Sequence, residues 1–336
     1  MSQAETALQT AIRDVQDISD LPRDEWAEAL EEFCEEHGYY EPLGDRFAAA
    51  FLDEKPRLLV SFDTFEQATE RNDKGYPTGM MLAARHGWSS LTLMANDLDP
   101  KDRWFRSKNI YRYFDRLVDD GFFEDFDQVV FYGAGACGYA AAAYSVVAPG
   151  ATVIAIAPQA TLDGRLASWD RRFPKTRRMD FTSRYGFAPD MVDGAEKAFV
   201  LYDPRVSEDA MHAALFNRPH VNRIPCRLFG TDPEYEMLEM GALGPILEAA
   251  IDGKLDQRAI TRALRKRRNH LGYLRRLLAE SAPKARPYQT ALLCRHVLRN
   301  RKYAPRFRKA YDIALEVLEE RNITLPELET PFQENA

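Results

Sequence analysis

Three glycines with the spacing Gly133-x-Gly135-x-x-Gly138 follow the run Val129-Val130-Phe131-Tyr132 and precede an alanine-rich stretch at 140–143. A strand turning sharply into a helix presents backbone N–H groups at its tip, and two chemistries use such a turn. The glycine spacing spells a dinucleotide-binding loop, in which Gly133, Gly135 and Gly138 let a pyrophosphate approach the backbone. The same stretch spells a nucleophile-bearing turn with Gly135 at its tip. A two-residue shift in register would put the Cys137 thiol there instead, with Tyr139 crowding a place that calls for glycine.

The neighbouring residues separate these readings. A dinucleotide site needs an acid at the end of the next strand to hold the ribose. That strand ends Ile154-Ala-Ile-Ala-Pro158-Gln159, and at least two strands precede the glycines, so no cofactor is expected. Nucleophilic attack needs a hydroxyl or thiol at the tip and a base within reach. Gly135 has no side chain, and His212, His220 and His270 are the nearest histidines in chain order. Purely structural roles are open as well. The glycines can serve close packing and positive φ, Cys137 can be a buried helical thiol, Asp203-Pro204 is a common turn pair, and Thr231 with Glu234 spells a capping box.

Hydrophobic periodicity supplies the elements that would position these groups. Strand patterns at 57–63, 89–95, 129–132, 151–157, 198–202 and 223–230 alternate with helical segments, including 24–38 and 102–121. This predicts an α/β protein with a mainly parallel sheet covered by helices. From residue 234 onward the pattern is helical, in segments 234–250, 256–278, 288–299 and 307–321.

The segments FYGAGACGYAAAAYS, VIAIAPQATLD, FVLYDPR and FGTDPEYEML, in that order, resemble the second half of the α/β-hydrolase fold. In particular they look like bacterial hydrolase-like proteins with a YGxSxGGYAA turn and surface-polysaccharide functions, over roughly residues 57–250. The resemblance implies a nucleophile at Gly135, an acid at Asp203 and a histidine near Thr231. It also implies an oxyanion-type site from the Ala136 N–H and a donor near Ser61 and Phe62. Two of the three triad positions thus lack the required chemistry. The expected function is a non-hydrolytic binding or accessory protein for a small molecule, glycan or acyl ligand. The alternatives are a hydrolase or acyltransferase using Cys137, a dinucleotide-dependent enzyme, and an anion-binding protein acting through its basic helices.

Composition frames this reading. At 45% hydrophobic the 336-residue chain is too apolar for general disorder. The expected layout is a helical segment at 1–56, the core at 57–250, a basic helical extension at 251–325 and a loose tail at 326–336. Four scattered cysteines and six scattered histidines show no metal spacing, so no metal is expected. No apolar run reaches membrane-spanning length and the N-terminal stretch is acidic, which predicts a cytoplasmic protein. Residues 1–55 carry 15 Asp/Glu against 4 Lys/Arg, whereas 251–311 carry 18 Lys/Arg against 3 Asp/Glu. No zinc finger, helix-turn-helix or aromatic platform accompanies the cations, so nucleic acid is not the expected partner.

Overall fold

The computed structural model describes residues 7–176, 178–281, 285–301 and 303–326. Two compact units divide the chain between Leu264 and Arg265. In the first, α1 (Ala7–Ala11), α2 (Arg23–His37), β1 (Gly38–Pro42) and β2 (Phe47–Leu52) lead into β3 (Arg57–Thr64). Next come α3 (Phe65–Arg71), α4 (Thr78–His86), β4 (Ser89–Ala95), α5 (Lys108–Asp119), β5 (Gln128–Ala134), α6 (Ala136–Tyr144) and β6 (Thr152–Ile156). The unit closes with α7 (Ala188–Met191), β7 (Lys197–Tyr202), α8 (Ser207–Leu215), β8 (Val221–Pro225), α9 (Pro233–Glu239), α10 (Leu243–Ile251) and α11 (Gln257–Ala263).

The eight strands form one sheet in the order β1-β2-β4-β3-β5-β6-β7-β8. Only β2 runs against the rest: it is antiparallel to both β1 and β4, and every other pairing is parallel. The N-terminal segment, expected to be helical, therefore supplies two strands. Phe47-Ala-Ala-Ala-Phe-Leu52 is alanine-rich, a composition that favours helix, but its side chains alternate between two cores. Phe47, Ala49 and Phe51 enter one, and Ala48, Ala50 and Leu52 enter the other. Burial on both faces overrides propensity.

Other boundaries move for local reasons. The helix expected over 102–121 is interrupted at Phe105 (φ 55°), and α5 begins only after Ser107, whose side chain accepts from the Asn109 N–H. Gly241 (φ 64°) separates α9 from α10, and a 3-10 turn at Leu264–Arg268 interrupts the helix expected over 256–278. The strand expected over 223–230 is β8, which ends at Pro225.

The second unit contains α12 (Leu271–Ser281), α13 (Pro287–Asn300) and α14 (Pro305–Glu320). Leu274, Cys294, Val297, Phe307 and Ala310 form its core, and Ala291, Ala314 and Leu318 a smaller cluster. Apart from Pro326, the tail expected to be loose lies outside the described residues. No described helix is long and apolar enough to cross a membrane.

Candidate functional site

The carboxyl ends of β3, β5 and β6 and the segment after β8 surround a cavity of about 330 Å³, the end of an open α/β sheet where ligands bind. Gly135 stands at its rim, between β5 and α6, with φ 58° and ψ −122°. Its N–H donates to the Ile156 carbonyl at 2.8 Å. A Cβ added there would meet nothing within 4 Å, so the tip has room for a side chain and carries none.

The two flanking glycines have a different cause. A Cβ on Gly133 would lie 2.3 Å from the Cys137 carbonyl oxygen, and one on Gly138 would lie 3.0 Å from the Gly133 oxygen and 3.1 Å from that of Ile156. They let α6 press against β5 and β6. The fingerprint spacing is thus accounted for by a tight turn and close packing. Ala136 opens α6 and lines the cavity, in a first turn whose N–H groups lack intrahelical acceptors.

The donor expected near Ser61 and Phe62 lies elsewhere. The Ser61 hydroxyl pairs with that of Thr92 at 2.9 Å, and Phe62 packs among Phe105, Phe114 and Tyr144. Both are buried inside β3, which runs on to Thr64. Thr64 is the residue that lines the cavity, and its hydroxyl caps α3 by accepting from the Gln67 N–H at 3.2 Å.

Cys137 lines the cavity but is 2% exposed. Its thiol donates to Gln67 Oε1 at 3.3 Å, and burial, reinforced by the Asp63 carboxylate, pushes it well above the ordinary thiol range. A thiol held neutral is a poor nucleophile. Burial pushes the Asp63 carboxyl itself up to about 6, although the Thr78 and Thr64 N–H groups donate to it.

Asp203 is buried and does not line the cavity. It accepts from the Arg205 N–H at 3.0 Å and the Gly230 N–H at 2.8 Å, tying the end of β7 to the turn after β8. Thr231 does line the cavity, but the capping box expected of it is absent. Asp232, one residue later and directly before Pro233, caps α9 by accepting from the Tyr235 N–H at 3.1 Å. Glu234 instead pairs with Arg71 and accepts from the Tyr132 hydroxyl.

His212 and His220 have their partners outside the cavity wall. His212 is fully buried: its Nδ1 accepts from the Ala160 N–H at 3.2 Å, so its Nε2 carries the proton and donates to Asp170 at 3.0 Å. Burial alone would raise the Asp170 carboxyl, but the hydrogen bonds from His212 and Arg172 hold it well below the usual range. His220 pairs with the Val192 carbonyl, and His270 belongs to the second unit. Among the described residues no histidine lines the cavity.

Besides Thr231 and Glu234, the polar wall holds three arginines that the sequence did not single out. Arg71 pairs with Asp232 and Glu234, Arg103 with Asp97 and Glu66, and Arg172 with Asp170 and Asp209. Burial raises the Asp209 carboxyl against the pull of Arg172. Gln159 and Trp104, both buried, complete the wall. These arginines come from irregular or short segments without a motif, and a run of charge was the only signal available.

The strand order, the single opposed strand and the sharp turn from the fifth strand into its helix define an α/β-hydrolase fold. The sequence matches no family model and no curated protein. Among solved structures it is similar to an acylaminoacyl peptidase from Pyrococcus horikoshii, at 9% identity and a TM-score of 0.42, over 65% of this chain and 42% of that one. It is also similar to a glycosylation associate protein complex from Streptococcus agalactiae, at 15% identity and a TM-score of 0.43, over 62% and 46% of the two chains. A Pyrobaculum calidifontis esterase shares 14% identity at a TM-score of 0.41, over 76% of this chain and all of that one. The chain thus spans less than half the length of the first two. Likeness at this level says nothing about activity.

Proposed function

We propose that this chain is a non-hydrolytic binding or accessory protein whose cavity holds a carbonyl- or anion-bearing group, of a glycan or an acyl compound, without attacking it. Two observations carry the reading. The position that would hold the nucleophile is a glycine with open space before it, and no histidine lines the cavity among the described residues. Activation of a hydroxyl needs a base in hydrogen-bond reach. What this rim still offers is binding chemistry: the first-turn N–H groups of α6, beside guanidinium groups of Arg71, Arg103 and Arg172 whose charge is shared with paired carboxylates.

A serine-reactive fluorophosphonate probe is expected to leave the protein unlabelled, and labelling at the turn would overturn the reading. Hydrolysis of simple esters is likewise expected to be absent. Ester turnover abolished by Cys137→Ala would establish the cysteine-dependent alternative instead. The burial and raised pKa of that thiol argue against it.

A further inference from the structure

The second unit is a different electrostatic object from the first. From residue 265 onward the chain carries 16 Lys/Arg against 8 Asp/Glu, and the cations crowd into 265–311, which holds 15 of them and one acid, Glu280. In the first unit Arg71, Arg103, Arg172 and Arg218 each face two carboxylates. Among the described residues Arg275, Arg299, Arg301, Arg306, Arg308 and Lys309 have no carboxylate partner. Unneutralised cations at this density repel one another, a cost that an anionic partner removes.

Tyrosines are set among these cations. Tyr303 is 86% exposed and lies between Arg301 and Arg306 in sequence, and Tyr288 follows Arg286 and is also exposed. The Arg267 guanidinium lies over the Tyr273 ring, 5.6 Å from its centroid. Beside Tyr303 is a cleft of about 310 Å³ walled by Leu271, Arg275, Pro305, Arg306 and Phe307. A second, of about 400 Å³, is walled by Asn269, His296, Asn300 and Arg301.

We propose that α12–α14 form a binding surface for single-stranded nucleic acid, with bases stacking on Tyr303 beside the cleft and the phosphates held by Arg275, Arg301 and Arg306. A positive surface with interspersed aromatic rings is the arrangement that holds single strands without sequence preference. A bilayer fits less well. The large apolar side chains Leu274, Val297, Phe307 and Leu318 are spent on the unit's own core, and a helix lying in a membrane needs a free apolar face. The sequence could not reveal this platform, because the exposure of Tyr303 depends on packing.

The test uses the full chain and fluorescence anisotropy with a labelled oligouridylate of about 20 nucleotides, long enough for at least one site. Engagement of roughly five phosphates predicts an affinity loss of about 100-fold between 50 and 200 mM salt. Tyr303→Ala should weaken binding about tenfold, and Tyr303→Phe should leave it unchanged. Arg275→Glu combined with Arg306→Glu should remove it. All three sites are at the surface or a cleft rim, and unchanged thermal melting would confirm that folding is intact. Three outcomes overturn the proposal: no binding at 50 mM salt, Tyr303→Ala binding like wild type, or equal or tighter capture of anionic-lipid vesicles or a sulfated glycan.

Discussion

His212 with Asp170 has the geometry usually associated with a catalytic base and its orienting acid, and Gly135 has the backbone usually associated with a nucleophile. The two regions differ in what surrounds them. His212 and Asp170 are sealed from solvent, and both ring nitrogens are engaged, one by the Ala160 N–H. The pair fastens the excursion between β6 and β7 to α8. The Gly135 tip faces open space without a reactive atom. A histidine–carboxylate pair is therefore evidence of chemistry only where a substrate can reach it, and a strained turn only where it carries a side chain.

The sharpest test lies one step from the tip. Gly133→Ala puts a methyl 2.3 Å from a backbone oxygen, so strand or helix must move. A loss of about 4 kcal/mol in urea denaturation is expected, the range reserved for core disruption. Wild-type stability in that variant would show that α6 does not need its close approach.

His212→Ala is expected to cost about 3 kcal/mol, through lost packing against Trp169 and a buried carboxylate deprived of one donor. Ligand binding in the cavity should survive at permissive temperature. Loss of binding with full retention of stability would instead make His212 part of the site.

Asp63 extends the comparison to a buried carboxylate in β3, next to Thr64 of the cavity wall. Its folded carboxyl is pushed up to about 6 from 3.8, so the native state holds the proton more tightly than the unfolded chain. Its contribution to stability is present below about pH 4 and is lost as pH rises through 6. The stability of wild type relative to Asp63→Asn should fall by roughly 2–3 kcal/mol between pH 4 and 7. A difference independent of pH would show that the carboxyl titrates normally.

Gly135→Ser should have the smallest effect, about 1–2 kcal/mol from the positive φ, because its side chain meets nothing. It should remain unlabelled by fluorophosphonate. Only Gly135→Ser with Thr231→His brings a hydroxyl and a base to the rim together, and it is the variant in which labelling is expected. Labelling of the single variant would reveal a base that the cavity geometry does not show.

Much of this was legible in the sequence because it is local. The strand, the three glycines and the following helix are one contiguous stretch, and each glycine has a cause within five residues of itself or in the next strand. Strands β1 and β2 were hidden because an alanine-rich run becomes a strand only when both faces are covered. The cavity wall was hidden for a stronger reason. Arg71 meets Asp232 and Glu234, and Arg172 meets Asp209, across long stretches of chain that no spacing rule connects. Ser61 and Phe62 were misplaced by a few residues, since β3 continues to Thr64 before the chain turns.

Gly135 also bears on what selection by folding alone would do at this turn. Any residue with a Cβ is under tension at φ 58°, and glycine is not. Where no reaction must be served, stability by itself favours the side-chain-free tip, while chemistry must hold a serine or cysteine there against that gradient. Silence at this turn is the state toward which the fold drifts unaided.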